Sequence, residues 1–67
     1  MPILICQRKN SDKIIRAVKA LAPIEINDKK FGKFTVKPGS YLIRDGLEAY
    51  AISEIEFEDT YLVRRIV

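Results

Sequence analysis

The sequence contains no histidine and no tryptophan, and Cys6 is its only cysteine. Histidine is the commonest general acid or base in enzymes, and a structural zinc site takes four cysteine or histidine ligands. An intramolecular disulfide needs a second cysteine. These absences exclude a disulfide and a structural zinc site, and we expect no catalytic residue, no metal site and no cofactor.

Other catalytic signals are missing as well. The sequence has neither a phosphate-binding loop of the G-x-x-x-x-G-K type nor a dinucleotide-binding fingerprint. Its serines, Ser11, Ser40 and Ser53, lie in predicted caps or turns without an activating partner. We therefore predict a protein that acts by binding and is not an enzyme.

Cys6 lies in the apolar run of residues 3–6. An apolar setting raises the pKa of a thiol and hides it from reagents, so we expect a buried structural cysteine. An unpaired thiol fits a reducing cytoplasm. We also expect no secretion signal, because Met1 and Pro2 lead directly into a strand-like segment, and no membrane association, because no apolar run approaches about 20 residues. The predicted location is the cytoplasm.

The chain has 67 residues, enough for one domain over residues 1–67. A chain of this size has a marginal core, and oligomerisation is the usual support once disulfides and metals are excluded. The net charge of +3 is uneven: residues 1–44 carry ten basic and three acidic side chains, whereas residues 45–67 carry two basic and six acidic ones. Such asymmetry is typical of an anion-binding surface, or of two halves that attract each other.

The first part of the chain predicts a strand and then a helix. Residues 3–8 begin apolar and end polar, as an interior strand of a sheet does. Over residues 12–22 the apolar side chains fall on one side of a helical wheel, and Pro23 ends the pattern. We predict an amphipathic helix there, with Asn10 and Ser11 as candidate caps.

The middle of the chain predicts a hairpin. Residues 23–27 and 33–37 alternate between apolar and polar side chains, which is the period of a half-buried strand. Residues 27–30 have turn chemistry, and Phe31 and Gly32 follow them before the second strand. Lys29 and Lys30 would then lie at the tip of the hairpin.

Two further turn signals follow. Pro38-Gly39 favours a type II turn, because proline sets the first central φ and glycine accepts a positive second φ. Asp45-Gly46 favours a two-residue hairpin turn between residues 41–44 and 47–52. Consecutive strands joined by short turns predict an antiparallel meander.

The last part of the chain predicts a short helix and a strand. Ser53 and Glu56 match the capping box that begins a helix, and Phe57 and Tyr61 are four residues apart and can pack together. Residues 62–67 are strand-like and can join the sheet or pair with a second copy. The predicted fold class is α+β: a small antiparallel sheet of β-α-β-β-β-β order followed by a short C-terminal helix, with one amphipathic helix packed on one face.

Three segments share a motif pattern with a known group of proteins. Residues 36–43, 48–52 and 57–61 resemble small phage-encoded and bacterial proteins with a Pro-Gly-Asp-aromatic motif, a Gly-Glu-aromatic-Tyr-Pro strand and a closing Phe-x-x-Thr-Tyr, the PGDYG-like proteins. The resemblance implies a phage or prophage setting and action in the host cytoplasm. The residues that carry it here are Pro38, Gly39, Tyr41, Tyr50, Phe57 and Tyr61.

The sequence also departs from that pattern. Ser40 replaces the usual aspartate, Leu47 occupies the expected glycine position, and Ala51 stands where proline is common. If the aspartate has a functional role in the relatives, this chain lacks it.

The functional hypothesis is a homo-oligomer that inhibits or modulates a host factor, or that captures a small anionic ligand such as a nucleotide signal. It rests on a sheet with more apolar residues than one helix can cover and on a C-terminal strand free to pair. The alternative is a nucleic-acid-binding module that uses a basic sheet face, with Tyr41 or Tyr50 for stacking. The candidate binding residues are Arg8, Lys29, Lys30, Lys33, Lys37, Arg44, Arg64 and Arg65.

Overall fold

The computed structural model describes residues 2–30 and 32–67, and within them the chain forms antiparallel strands and one short helix. Phe31, which follows the predicted hairpin turn, lies outside the described residues. The elements are β1 (Leu4–Arg8), β2 (Ile14–Lys19), β3 (Ile24–Asp28), β4 (Gly32–Val36), β5 (Tyr41–Asp45), β6 (Glu48–Ile52), α1 (Glu54–Thr60) and β7 (Tyr61–Ile66). This mostly antiparallel sheet structure with a short helix belongs to the α+β class.

Five strands form one sheet in the order β6-β5-β2-β1-β7, and β3 and β4 form a separate two-stranded sheet. The predicted meander is therefore wrong in its pairing: β5 pairs with β2 and not with β4. The β3–β4 hairpin is an insertion in the connection from β2 to β5. Its two ends meet, because the N–H of Gly39 donates to the carbonyl of Ala20 at 2.7 Å and the N–H of Ala20 donates to the carbonyl of Ser40 at 2.9 Å.

The predicted helix over residues 12–22 is wrong, because the segment forms β2. The apolar side chains that suit one side of a helical wheel also alternate at period two: Ile15 and Ala17 are buried, while Ile14 is 55% exposed. Isoleucine and valine are β-branched, which favours a strand. β2 pairs with β1 over residues 14–17 and with β5 over residues 16–19, so that every residue of the strand has a partner on at least one side.

Asn10 and Ser11 consequently do not cap a helix. They lie in the turn that joins β1 to β2, where the N–H of Ser11 donates to the carbonyl of Arg8 at 3.2 Å. Asn10 has a φ of 65°, and asparagine is one of the few residues other than glycine that adopt this left-handed conformation at low cost. The residue suits a turn as well as it suits a cap.

Several local predictions are confirmed. Residues 24–28 and 32–36 form the predicted hairpin, and the N–H of Ser40 closes the Pro38-Gly39 turn on the carbonyl of Lys37 at 3.0 Å, with a φ of 88° at Gly39. The N–H of Glu56 donates to the Oγ of Ser53 at 3.1 Å, which caps α1. The C-terminal strand joins the sheet beside β1.

The turn between β5 and β6 is displaced by one residue from its prediction. Asp45 pairs with Glu48, so the two central residues are Gly46 and Leu47 and not Asp45 and Gly46. Gly46 has a φ of 62°, and a positive φ at the first central position is the mirror-type turn whose twist matches a hairpin.

The core lies on one face of the five-stranded sheet, which we call the core face. The registers place Cys6 opposite Ile15, Ala17 opposite Ile43, and Ile43 opposite Tyr50, and residues opposite each other point to the same side. Further aromatic side chains close this face. The ring of Phe57 from α1 stacks on Tyr41 with centroids 3.9 Å apart and contacts Tyr61 at 5.6 Å.

The hydroxyl groups of Tyr50 and Tyr61 lie 2.8 Å apart and share a hydrogen bond that joins β6 to β7, the two edges of the sheet. Burial, together with this bond, raises the pKa of Tyr50 well above its ordinary value near 10. The folded state thus favours the protonated phenol.

We expect Tyr50→Phe to lower the free energy of unfolding at neutral pH by about 0.5–1.5 kcal/mol, the usual net value of one hydrogen bond. The pKa of Tyr50 is raised on folding. The contribution of Tyr50 to the free energy of unfolding is therefore complete below the ordinary tyrosine pKa, and it is lost as the pH rises above about 10. Urea denaturation from pH 7 to pH 11 measures both effects. Tyr41→Phe is the matched control, since its hydroxyl makes no hydrogen bond to the described residues; equal losses from the two variants would contradict the assignment.

Candidate functional site

The opposite face of the five-stranded sheet, which we call the open face, carries a row of arginines. Ile5 in β1 lies opposite both Arg65 in β7 and Arg16 in β2. Arg16 lies opposite Arg44 in β5, and Arg44 lies opposite Ala49 in β6. Neighbouring strands are about 4.8 Å apart. Three arginines from three strands therefore share one line across the sheet, and two of them are direct neighbours.

Among the described strand residues, no carboxylate accompanies these arginines on the open face. The registers place the following strand residues on that side: Ile5, Gln7, Ile14, Arg16, Val18, Leu42, Arg44, Ala49, Ala51, Leu62 and Arg65. All of them are apolar, amide-bearing or basic. The two acidic residues at the end of the β5–β6 hairpin, Asp45 and Glu48, alternate with Arg44 and Ala49 and belong to the other side of the sheet.

The ion pairs of the described residues are all made by lysines. Lys13 contacts Asp45 at 2.8 Å, Lys19 contacts Glu54 at 3.6 Å and Lys30 contacts Glu48 at 2.8 Å. The arginines of the chain pair with none of the described carboxylates. Arg8 instead lies 5.9 Å from the ring centroid of Tyr61, at the edge of the core face.

Placing Arg16 directly opposite Arg44 has an energetic cost. Like charges that face each other across neighbouring strands destabilise a sheet by a few tenths of a kcal/mol to about 1 kcal/mol. Both side chains are exposed, so water screens the repulsion without abolishing it. Among the described residues, no carboxylate pairs with either arginine to offset this repulsion.

An open groove of about 560 Å³ lies along this pair. Ile5 and the half-exposed Ile14 supply apolar surface beside the two guanidinium groups. Each guanidinium presents a planar fork of donors that matches a carboxylate or phosphate in two parallel hydrogen bonds. The groove is lined by Ile5, Ile14, Ile15, Arg16, Arg44 and Gly46.

The residues predicted as binding candidates do not form one site. Arg44 lies in the arginine row and Arg65 at its end, whereas Arg8 belongs to the core face. Arg64 is the residue that the β1–β7 register skips at a bulge. The four lysine candidates lie outside the five-stranded sheet, on or just after the separate β3–β4 hairpin; they are Lys29, Lys30, Lys33 and Lys37.

The motif residues of the predicted resemblance have structural positions. Pro38 and Gly39 form the turn after β4. The motif aromatics lie in or against the core cluster, and these are Tyr41, Tyr50, Phe57 and Tyr61. The predicted use of Tyr41 or Tyr50 for stacking on a basic sheet face is therefore wrong, because both rings lie on the side of the sheet opposite to the arginine row.

Arg16 is the residue of this candidate site that is absent from the residues predicted from the sequence. In the predicted helix over residues 12–22, Arg16 lies on the solvent-exposed face with Lys13 and Lys19 and is not part of a sheet. A period-two interpretation of residues 14–19 alternates Arg16 with the buried Ile15 and Ala17 and is the signal that would have found it. The partner Arg44 would still not follow, because strand pairing depends on long-range contacts.

Cys6 is fully buried, and burial raises the pKa of its thiol. Within residues 2–30 and 32–67, no group of three or more histidine, cysteine or acidic side chains is placed to hold a metal ion. The longest helix in that part of the chain has seven residues, and none is long and apolar enough to cross a membrane.

Comparisons with protein-family models, with curated proteins and with solved structures each found no match to this chain. The PGDYG-like resemblance stays a prediction.

If the Arg16–Arg44 pair serves binding and not folding, Arg16→Gln should leave the free energy of unfolding unchanged or raise it, by up to about 1 kcal/mol in low salt. The gain should shrink in high salt, because counterions already screen the repulsion. Urea denaturation at two salt concentrations measures it. Lys33→Gln removes the same charge from the β3–β4 sheet and is the control; a larger loss for Arg16→Gln than for Lys33→Gln would show that Arg16 is structural.

We expect the Cys6 thiol to react with a thiol reagent at least about a hundredfold more slowly in the native protein than in denaturant, since reaction requires opening of the core. The time course of labelling, followed by mass spectrometry, measures the ratio. Rapid labelling without denaturant would place Cys6 at an accessible site and contradict its burial.

Proposed function

We propose that this chain is a small non-enzymatic binding protein that captures an anionic ligand on its open face, with Arg16 and Arg44 as the two principal contacts. The observation that carries the proposal is the direct opposition of two arginines without a carboxylate on the same face. A ligand with at least two negatively charged oxygens would accept hydrogen bonds from both guanidinium forks and remove their mutual repulsion.

The groove also favours one class of anion over another. Ile5 and Ile14 form an apolar border next to the arginines, so a ligand with a phosphate group and a small apolar or planar part can bury both portions. A nucleotide has this chemistry, whereas a simple inorganic anion uses only the guanidinium groups. We therefore assign phosphate-bearing small molecules as the ligand class.

A nucleic-acid-binding module is the second candidate. The row of Arg65, Arg16 and Arg44 crosses three strands and could follow a phosphate backbone. Among the described residues of the five-stranded sheet, however, the registers place no aromatic side chain on the open face, and the one ring beside it is Phe34 of the hairpin, next to Ala49 and Ala51. Single-strand binders stack successive bases on several aromatic side chains, each worth about 1–3 kcal/mol. The geometry therefore favours the small ligand.

The wider setting is proposed from the sequence. The PGDYG-like resemblance supports an accessory protein of phage type, and the single buried thiol is compatible with a reducing host cytoplasm. Association with a second copy or with a host protein is also proposed, because large apolar side chains outside β7, such as Leu21, Leu47 and Ile55, are exposed.

Titration with pyrophosphate and with ATP, followed by amide chemical shifts, tests the proposed ligand class. We expect shifts at Ile5, Arg16 and Arg44, and an affinity for ATP above that of adenosine. Arg16→Gln and Arg44→Gln should each weaken binding about tenfold, since a hydrogen bond to a charged group contributes about 1.5–3 kcal/mol. Lys29→Gln, which removes a charge from the hairpin tip, should change the affinity little.

Equal effects of all three substitutions would contradict a defined site and indicate diffuse charge attraction. A single-stranded oligonucleotide titrated at two salt concentrations separates the second candidate. Binding that falls steeply with salt and exceeds that of ATP would favour nucleic acid.

A further inference from the structure

β7 is an edge strand of the five-stranded sheet, paired with β1 on one side only. At its end, Val67 and Ile3 exchange both main-chain hydrogen bonds, at 3.0 and 2.8 Å. In an antiparallel pair such residues alternate with residues whose main-chain groups point away from the partner. The N–H and carbonyl of Ile66 therefore point to the open edge.

The same alternation applies at the other end of β7. Lys9 donates its N–H to the carbonyl of Thr60 at 2.8 Å, and Val63 lies three residues further along, opposite Cys6. Val63 is therefore also outward-facing. Arg64 is the extra residue of the bulge, so it is left outside the ladder with β1.

The side chains of this edge combine apolar surface with positive charge. Leu62 is 50% exposed, Val63 47% and Ile66 67%. Arg64 and Arg65 are exposed at the middle of the strand, and β7 contains no acidic residue. Neither arginine forms an ion pair with a described carboxylate.

We infer that the open edge of β7 binds an extended acidic segment of another protein, which adds to the sheet as a further antiparallel or parallel strand. In this mode of recognition, main-chain hydrogen bonds supply affinity and alternate side chains supply specificity. Val63 and Ile66 offer the main-chain N–H and carbonyl groups. The exposed apolar side chains of β7 contact the side chains of the added strand. Arg64 and Arg65 select carboxylates at its middle.

A second copy of this chain fits the same edge less well. Twofold antiparallel pairing of β7 with itself would bring Arg64 and Arg65 of both copies close to the axis, because they lie near the centre of the strand. Four guanidinium groups would then crowd together, and β7 supplies no carboxylate to neutralise them. Like charges on neighbouring strands are destabilising, and charged residues on an edge are a common device against self-pairing.

The inference is independent of the proposed anion site, because its main determinants, Val63 and Arg64, lie outside the groove along Arg16 and Arg44. Leu62 and Arg65 belong to both the open face and the β7 edge, but neither lines the groove. The two proposals can therefore fail separately.

The probe is a capped, fluorescently labelled peptide of about six residues, the common length of a strand, in which valine alternates with glutamate. Its control has lysine in place of glutamate. Fluorescence anisotropy should show binding of the acidic peptide and none of the basic one, and hydrogen exchange at the N–H groups of Val63 and Ile66 should slow when the acidic peptide is added.

Three variants locate the site. Val63→Pro removes an outward N–H, a change that an edge strand tolerates, and it should weaken peptide binding about tenfold. Arg64→Gln removes one positive charge and should weaken peptide binding about threefold. Arg16→Gln should leave peptide binding unchanged while it weakens ATP binding. Circular dichroism confirms that each variant is folded, and Ile66→Pro replaces Val63→Pro if the latter is not.

The inference is overturned if the acidic peptide does not bind, or if the basic peptide binds equally well. It is also overturned if the folded proline variant and the Arg64→Gln variant bind the acidic peptide as tightly as the unmodified protein does. Sedimentation of the protein without peptide gives a further test. If the protein is a dimer and Val63→Pro dissociates it, a second copy and not an acidic partner occupies the edge.

Discussion

The double pairing of β2 is the constraint on which the rest of this structure depends. β2 joins β1 on one side and β5 on the other, and these two strands belong to the two hairpins that form the body of the sheet. Its alternation sends Ile15 and Ala17 into the core and Arg16 to the opposite face. The core and the candidate site are therefore two sides of the same strand, and a change in its register by one residue would exchange them.

An aromatic cluster closes the core face of the sheet, to which β2 contributes Ile15 and Ala17. Phe57 reaches the sheet from α1, and its ring lies between Tyr41 of β5 and Tyr61 at the start of β7. The Tyr50–Tyr61 hydrogen bond then joins the two edge strands across the core face. A small domain without a disulfide has few ways to connect the edges of a sheet. Here three aromatic rings and one hydrogen bond perform that task on the core face, and the arginine row on the opposite face takes no part in it.

Local chemistry in the sequence predicted local structure well. The capping serine of α1, the Pro38-Gly39 turn and the β3–β4 hairpin each depend on residues within a few positions of one another, and the structure contains all three. The failure at residues 12–22 has a different cause. Apolar residues there satisfy both helical and strand periodicity, and pairing with β1 and β5 decides between them; the local pattern is compatible with that strand but does not specify its partners. The helix prediction also prevented prediction of the candidate site, because Arg16 and Arg44 become neighbours only through the pairing of β2 with β5. The position of β7 beside β1 depends on contacts of the same long range.

The β3–β4 hairpin has a consequence for how this fold can vary. The chain leaves the sheet after β2 and returns before β5 at nearly the same point, where hydrogen bonds join Ala20 to Gly39 and to Ser40. Hairpin and sheet share no strand ladder, although Val36 at the hairpin's base is fully buried. A segment whose ends meet can be lengthened at its exposed tip at little cost to the scaffold that carries it. The fold thus has a built-in position for new sequence at the tip of this hairpin, because an insertion there leaves Val36 and the hydrogen bonds of Ala20 in place.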